Sequence, residues 1–357
     1  MDISKDNVSI DAKAYNCPNC GAELYYDADK QKLACEFCLS EFTDEEIRET
    51  NAEELASTQR TNAEDFCEHM NEYACPNCGA EIAADENTAA DICVYCHSPV
   101  MLKGKLSGHM KPDKIVPFKF GKEDEEKKFL EFTKKKWFLP KNFKSREHAD
   151  KIQGIYYPFW VTDADTSSAL YADATKIRTW RVGNTEYIET SRFVCERAGD
   201  IHFEDIVSSA YSQAEKDMLE GILPYPSEAL QEFSMPFLSG FSTKKRDIER
   251  DALSAEVKQR MDEYAKTLLR NTVRGYASVN VRSTSLNIKQ SHWEYALMPI
   301  WMLNYVTPKK TYVYAVNGHT GKIYGELPIS IGKMIGAAIG VAVAVAPIVA
   351  AIGGIFL

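Results

Sequence analysis

Two cysteine-rich segments with identical spacing constrain this chain more than any other feature. Each follows the pattern C-x2-C-x14-C-x2-C, once from Cys17 to Cys38 and again from Cys75 to Cys96. Both open with C-P-N-C-G, in which Pro restricts the backbone and Gly supports a tight turn that lets backbone amides point at the sulfurs. The predicted metal ligands are Cys17, Cys20, Cys35, Cys38, Cys75, Cys78, Cys93 and Cys96.

Four cysteine thiolates in closed coordination favour Zn²⁺ over Mg²⁺ or Ca²⁺. Iron, as in a rubredoxin, stays open as a minor alternative. A unit of about 25 residues cannot bury enough apolar surface to fold alone, so the ion would hold it together. An ion with four cysteine ligands has no open position for a reactive water. The sequence therefore predicts two structural Zn²⁺ ions and no catalytic metal.

The charge of the chain is unevenly distributed. The formal net charge is -10, and residues 1–100 carry -16, which leaves +6 on the remainder. Phosphate binding needs Lys and Arg to displace counterions, so nucleic acid is an unlikely ligand of the cysteine segments and a protein partner is favoured. The Lys-rich residues 103–151 keep nucleic-acid binding as the alternative. The acidic N-terminus argues against export, and the thiols are expected in a reducing compartment.

Strand patterns dominate the middle of the chain. KIVPFKF and YASVNVRSTSLNIKQ alternate as strands do, and VYAVNGHTGKIYG predicts a hairpin. Residues 155–165, IYYPFWVTDAD, are similar to residues 296–306, ALMPIWMLNYV. That similarity suggests two related β-lobes flanking a helical insert.

Three further segments have helical patterns. EDEEKKFLEFTKKKW ends before Pro140, and the insert contains EDIVSSAYSQAEKDMLEG and KKRDIERDALSAEVKQRMDEYAKTLLRNT. Between the cysteine segments, Thr43 and Glu46 form a capping-box pattern that opens a polar helix. The predicted fold class is α+β with antiparallel sheets.

The C-terminal segment, 334–357, contains no charged or polar side chain. A helix of this length would be about 36 Å long and would span a bilayer core of about 30 Å. Lys322 and Lys333 precede it, so the positive-inside rule places the bulk of the chain in the cytoplasm. The expected localisation is the cell membrane with a single-pass C-terminal anchor. Gly336-x-x-x-Gly340 is a helix-pairing pattern, which adds a homo-oligomer to the expectations.

The predicted domains follow from these patterns. They are a zinc ribbon at 1–40, an acidic helical spacer at 41–73, a second zinc ribbon at 74–101, an α+β domain with duplicated β-lobes at 102–328 and a transmembrane helix at 334–357.

Candidate catalytic residues are few. Asp163-x-Asp165 is typical of turn acids, Cys195 of a strand thiol, Cys67 of a free thiol and His319 of an exposed hairpin tip. His97 is an ordinary surface residue or a group that orients a thiolate. No phosphate loop, nucleophile elbow or zincin helix occurs in the chain. We therefore expect no enzyme activity, no catalytic residues and no bound organic cofactor.

The paired C-P-N-C-G ribbons, the PFW strand, R-A-G-D-I-H-F, F-L-S-G-F-S-T-K-K-R-D and the V-N-G-H-T-G-K-I-Y-G hairpin together resemble bacterial TFIIB-type zinc-ribbon-containing proteins. Some of these are labelled primosomal or replication-factor-Y helicase-like, but motor motifs are missing from this chain. The resemblance implies a membrane-associated adaptor found with flotillin-like and phage-shock-type membrane-stress proteins. It also implies metal ligation by the eight cysteines.

The combined expectation is a membrane-anchored zinc-ribbon adaptor or scaffold that recruits protein partners at the cytoplasmic membrane face. The alternative is a zinc-ribbon nucleic-acid-binding factor in transcription or replication.

Overall fold

The computed structural model of the chain describes residues 17–22, 24–50, 70–85, 93, 95–96, 98, 100–105, 111–140, 142–238, 241–307 and 310–353. Its strands are β1 (Tyr25–Asp27), β2 (Lys32–Ala34), β3 (Glu41–Phe42), β4 (Met70–Ala74), β5 (Glu81–Asp85), β6 (Met101–Lys105), β7 (Lys114–Ile115), β8 (Gln153–Val182), β9 (Thr185–Ser209), β10 (Gln231–Glu232), β11 (Ser242–Lys244), β12 (Ser278–Val306), β13 (Thr311–Asn317) and β14 (Ile323–Gly325). Its α-helices are α1 (Asp44–Thr50), α2 (Lys122–Lys134), α3 (Arg146–Ala149), α4 (Lys216–Ile222), α5 (Arg250–Thr272) and α6 (Ile331–Gly353).

Sheet predominates in this mixture of helix and strand. β1, β2 and β3 form a small antiparallel sheet, and the other strands form one large sheet. The order in the large sheet is β10-β7-β12-β8-β11-β5-β4-β6, with β9 on β8, and with β13 on β12 and β14 on β13. Most pairs are antiparallel, but β11 runs parallel to β8 and β7 runs parallel to β12.

The two similar segments at 155–165 and 296–306 are neighbours in the centre of the large sheet. They run antiparallel in β8 and β12, where Pro158 lies opposite Leu297 and Pro299 lies opposite Tyr156. The two similar segments are therefore paired central strands of one sheet. Sequence similarity alone could not show this, because it carries no information about distance.

The sheet centre is covered on both faces, which explains why residues 155–161 of β8 and 295–303 of β12 are buried at every position and carry only apolar or aromatic side chains. Tyr156 and Trp301 point into a core with Phe129 of α2. Tyr157 and Met298 point to the opposite face, where they pack in a core that includes Ile222 of α4. Farther along both strands the burial alternates, as expected where one face is exposed.

Two of the predicted helices and the hairpin are confirmed. The pattern after residue 121 forms α2, the long charged pattern forms α5, and β13 and β14 pair as a hairpin. The prediction for EDIVSSAYSQAEKDMLEG is wrong in its first part, because residues 204–209 belong to β9 and only Lys216–Ile222 is helical. Pairing with β8 outweighs the weak local helix preference there.

The predicted transmembrane helix over residues 334–357 is wrong. Helix α6 runs from Ile331 to Gly353, and within the part of the chain that the structure describes no helix combines the length and apolar character needed to cross a membrane. The predicted single-pass anchor and cell-membrane localisation rested on this helix and are therefore not supported either. The prediction counted uncharged residues, but half of the positions from 334 to 353 are Gly or Ala, which supply little apolar surface. Residues 354–357 lie outside the described residues.

Candidate metal centres

The structure brings the predicted ligands together in two groups. We name Cys17, Cys20, Cys35 and Cys38 cluster 1, and Cys75, Cys78, Cys93 and Cys96 cluster 2. Within each cluster all four Sγ atoms lie within 4.8 Å of one another. The shortest separations are 3.4 Å for Cys17 to Cys38 and for Cys75 to Cys96.

These distances fit a shared ion. Four sulfurs at about 2.3 Å from a tetrahedral ion would lie about 3.8 Å apart, whereas a disulfide would need about 2.05 Å. The eight cysteines are free thiols, so the sulfurs are grouped without being bonded. Both clusters could therefore hold a metal ion.

The local sequence builds the same turn in both clusters. Gly21 and Gly79 have positive φ angles of 72° and 74°, a backbone conformation that residues with a side chain rarely adopt. Their amides donate to the carbonyls of Cys17 and Cys75 at 2.8 and 2.9 Å. The backbone conformation of the turn therefore favours glycine at both positions, as the sequence predicted.

Hydrogen bonds stabilise a thiolate at the last cysteine of each cluster. The side chain and backbone of Ser40 lower the pKa of Cys38 to about 6. Burial raises the pKa of Cys96, but hydrogen bonds from Asn77 and Ser98 outweigh it and lower the value to about 6. A metal ligand must be deprotonated, so Cys38 and Cys96 are close to the binding form, whereas the pKa values of Cys20 and Cys78 are raised to about 12 and these thiols would lose their protons to a bound ion.

Ribbon 1, the segment with cluster 1 and β1 to β3, docks on the loop after β7. Tyr26 Oη and Gln31 Nε2 both donate to the carbonyl oxygen of Phe118, at 3.2 and 2.8 Å. The amide of Gly121 donates to Asp29 Oδ1 at 2.6 Å. A Cβ at Gly121 would lie 2.5 Å from Asp29 Oδ2, so a side chain there would require the Asp29 carboxylate to move.

Ribbon 2, the segment with cluster 2 and β4 to β6, is attached differently. β5 pairs with β11, with Ala83 opposite Thr243, so ribbon 2 extends the large sheet. Glu72 on β4 is buried and accepts hydrogen bonds from Lys103 at 2.8 Å and Lys245 at 3.2 Å. Burial raises the pKa of Glu72, but these two lysines outweigh that effect and hold the pKa below its ordinary value.

Lys244 on β11 is fully buried beside cluster 2. Its Nζ lies 4.0 Å from the ring centre of Tyr95 and 5.5 Å from that of Tyr211. Among the described side chains Nζ has no hydrogen-bond partner. Burial lowers its pKa to about 8. No pattern in the sequence points to this residue, because a Lys-Lys pair normally indicates an exposed strand end.

The other candidate residues do not join either cluster. Asp163 Oδ1 accepts from the amide of Asp205 at 2.9 Å, and Asp165 Oδ1 lies 2.7 Å from His202 Nδ1. Both acids therefore tie β8 to β9. Cys195 is buried beneath the end of α5.

His319 is half-buried in the β13 to β14 turn and not fully exposed as predicted. Its amide donates to Asn317 Oδ1 at 3.0 Å. Cys67 and His97 lie outside the described residues.

A second surface was missed by sequence reasoning. Residues 163–182 of β8, 185–205 of β9 and 278–292 of β12 form a three-stranded extension of the sheet, which we name the arm. Every residue from 176 to 190, at the tip of the arm, is exposed. Trp180 and Tyr187 stack there with ring centres 5.6 Å apart, and Ile177 and Ile188 are more than half exposed.

Comparison with known proteins shows a relative that matches this chain over nearly its whole length. The chain is 30% identical over 321 residues to the Bacillus subtilis (strain 168) protein named uncharacterized protein YdjG, covering 90% of this chain and 92% of that protein. The chain belongs to the YdjG family. The match spans nearly the whole length, so the YdjG family shares more than the cysteine segments. No protein-family model and no solved structure matches the chain.

Proposed function

We propose that this YdjG-family protein is a zinc-binding, non-enzymatic scaffold that recruits a protein partner through the tip of its arm. The observation that carries the proposal is the uninterrupted exposure of positions 176–190, with a stacked Trp180 and Tyr187 and flanking aliphatic side chains. Clustered exposed apolar side chains mark interaction surfaces, and Trp, Tyr and Arg are enriched at interface hot spots.

The edge of the arm supports the same proposal. Among the described strands β9 pairs with β8 alone, so its other edge offers free backbone donors and acceptors. Such an edge can accept an extra strand from a partner. Backbone pairing would give affinity, and the aromatic tip would give specificity.

Zinc is the proposed ion because each cluster consists of thiolates alone, and soft ligands in a closed tetrahedron favour it. The resemblance to TFIIB-type zinc-ribbon proteins points to the same metal. Elemental analysis of the purified full chain is expected to find two zinc ions per chain. If the purified chain contains iron, with the red colour and absorption of a ferric tetrathiolate, the proposal that the ion is zinc is wrong.

The partner function is tested by affinity capture with in-cell crosslinking, using the full-length chain. The double variant Trp180→Ser/Tyr187→Ser is expected to lose the crosslinks that the wild type forms from the tip. Trp137→Ser is the matched control, since Trp137 is 84% exposed and lies outside the arm. Unchanged crosslinks in the double variant, with both proteins equally folded by circular dichroism, would refute the proposal.

Nucleic-acid binding is the second candidate, and one observation favours it. Arg178 lies 5.6 Å from the Trp180 ring centre, with Lys176 and Arg181 nearby in sequence on the same exposed tip. Aromatic side chains combined with basic ones are suited to single strands. Fluorescence anisotropy with single-stranded RNA and DNA separates the two functions. Tight binding that weakens with salt and is lost in Arg178→Ser/Arg181→Ser would favour this candidate over the scaffold.

A further inference from the structure

We propose that Lys244 is the buried counter-charge of metal-loaded cluster 2 and thereby links metal binding there to the docking of ribbon 2 on the large sheet. The inference rests on the metal-binding part of the proposed function and is independent of the arm. It assigns a role to a side chain that contacts no described hydrogen-bond acceptor.

The first step is the charge of the loaded site. Four thiolates around a divalent ion leave a net charge of -2, and cluster 2 lies where ribbon 2 meets the large sheet. A buried negative group of this kind needs a nearby cation or hydrogen-bond donors. Cys75 and Cys93 are almost fully buried, so solvent screens that side of the cluster poorly.

The second step is the isolation of the ammonium group. Lys244 is 0% exposed, and it is the only lysine buried in the described part of the chain. An ammonium group removed from water without a partner is strongly disfavoured. Rings of Tyr95 and Tyr211 face it, but two such contacts do not supply a negative charge.

The third step excludes the nearby carboxylates. Glu72 and Glu81 both bind Lys103, and both also contact Lys245, which follows Lys244 in the chain. Neither carboxylate pairs with Lys244 in the described structure. Burial lowers the pKa of Lys244, and the sulfurs of Cys93, Cys78 and Cys75 in cluster 2 act in the opposite direction.

The fourth step is the path between the groups. Tyr95 lies between Cys93 and Cys96 in the chain and presents its ring to Nζ. Lys244 itself pairs with Ile82 on β5, the strand that follows the second cysteine of cluster 2. The strand pairing that docks ribbon 2 therefore also places the ammonium against the ring of Tyr95, which lies between two ligands of cluster 2 in the chain.

Cluster 1 provides an internal control, since no described lysine is buried near it. The test uses the zinc-loaded full chain, an excess of chelator and pulsed alkylation read by peptide mass spectrometry, which reports each cysteine separately. In Lys244→Met, which keeps the side-chain volume, cluster 2 is expected to be labelled at least about tenfold faster than in wild type. Cluster 1 should be labelled at the wild-type rate.

Lys216→Met is the matched control, because it removes the same charge from a side chain that is 81% exposed. It should leave both clusters at the wild-type rate. Wild-type labelling of cluster 2 in Lys244→Met would overturn the proposal. If Lys244→Met fails to fold, Lys244→Arg is tested in its place. A labelling rate of cluster 2 within about threefold of wild type would support a charge role for Lys244. Labelling about tenfold faster than in wild type would contradict it.

A second measurement separates charge from packing. In the zinc-loaded chain, Lys244→Met should speed amide exchange in ribbon 2, whereas Lys244→Arg, which keeps the positive charge, should leave exchange near the wild-type rate. Faster exchange of equal size in both variants would show a packing role and refute the inference. A wild-type chain that binds no metal would instead refute the zinc proposal, and metal analysis detects that before any variant is made.

Discussion

Ribbon 1 and ribbon 2 have the same cysteine turns but are attached differently to the rest of the molecule. Ribbon 1 keeps its own three-stranded sheet and docks through hydrogen bonds of Tyr26, Gln31 and Asp29 with one loop. Ribbon 2 becomes part of the large sheet through β5 and β11. The repeated motif therefore specifies the metal geometry, whereas residues outside the motif specify what each ribbon does in the fold.

The difference extends to electrostatics. The interface of ribbon 2 contains a buried carboxylate, Glu72, and a buried ammonium, Lys244. The docking contacts of ribbon 1 are hydrogen bonds with backbone groups and the packing of Tyr26 on Phe237, with ring centres 4.8 Å apart. Changes that alter charge should therefore affect ribbon 2 more strongly, and changes that alter close contacts should affect ribbon 1.

The largest effect is expected from losing one metal site at a time. Cys93→Ser should leave one ion per chain and disturb ribbon 2, with amide NMR shifts that reach β11 and β8 through the shared sheet. Cys35→Ser should also leave one ion, but its shifts should stay within ribbon 1 and the segments it contacts, residues 117–121 and Phe237. Structural zinc contributes on the order of 10 kcal/mol in small modules, so each ribbon should lose its fold.

Metal analysis and NMR of the two variants check this prediction. Two ions retained in either variant, or shifts of equal extent in both, would contradict the comparison between the ribbons.

A smaller effect is expected at Glu72. Its pKa is lower in the folded protein than in the unfolded chain, so its contribution to stability is present above the ordinary carboxyl pKa. That contribution is lost as pH falls through the lowered value. Glu72→Gln should reduce the free energy of unfolding by about 2 kcal/mol at pH 7 and by less near pH 4, because it leaves Lys245 without its buried partner.

Urea unfolding at both pH values measures this change. Glu41→Gln in ribbon 1 is the control, because Glu41 pairs with Lys30 at a surface where ion pairs contribute about 0.5 kcal/mol. Equal losses in the two variants would argue against a special electrostatic role for the ribbon 2 interface.

The sequence predicted the local parts of this molecule well. Ligand spacing and the glycines at 21 and 79 indicated the cysteine groups and their turns, since these depend on neighbouring residues. Alternation predicted the outer part of β12, because one face of that strand is exposed. The pairing of β5 with β11 joins segments that are far apart in the chain, and no local pattern encodes it.

The arm and Lys244 escaped prediction for related reasons. Residues 176–190 have no burial to impose a pattern, so their aromatic and basic side chains gave no sign of a projecting tip. Lys244 is buried only because the strand of a distant segment and the rings of Tyr95 and Tyr211 enclose it. Both features arise from tertiary structure. The C-terminal prediction failed in the opposite direction, because local hydropathy was given too much weight.

Close packing, and not charge, should control the docking of ribbon 1. Gly121→Ala places a Cβ against the carboxylate of Asp29 and is expected to cost about 2 kcal/mol. Asp29→Ala should cost about 1 kcal/mol, since it removes one hydrogen bond. The double variant should be less destabilised than the sum, because truncating Asp29 removes the clash. Additive losses in urea unfolding would show that the clash is relieved elsewhere.

The smallest effect is expected at the helix that continues ribbon 1. Thr43 and Glu46 form the predicted capping box: the Glu46 amide donates to Thr43 Oγ1 at 3.2 Å, and the Thr43 amide donates to Glu46 Oε2 at 2.8 Å. Thr43→Ala should cost about 1 kcal/mol. Because Ile47 of this helix is fully buried in a core that includes Leu33 of β2, faster amide exchange in α1 should be accompanied by faster exchange in β2, with a smaller change in β4. Thr50→Ala, at the opposite end of α1, is the control and should leave β2 unchanged. Equal exchange in β2 and β4 after Thr43→Ala would mean that the two ribbons are coupled, and the independence on which their comparison rests would fail.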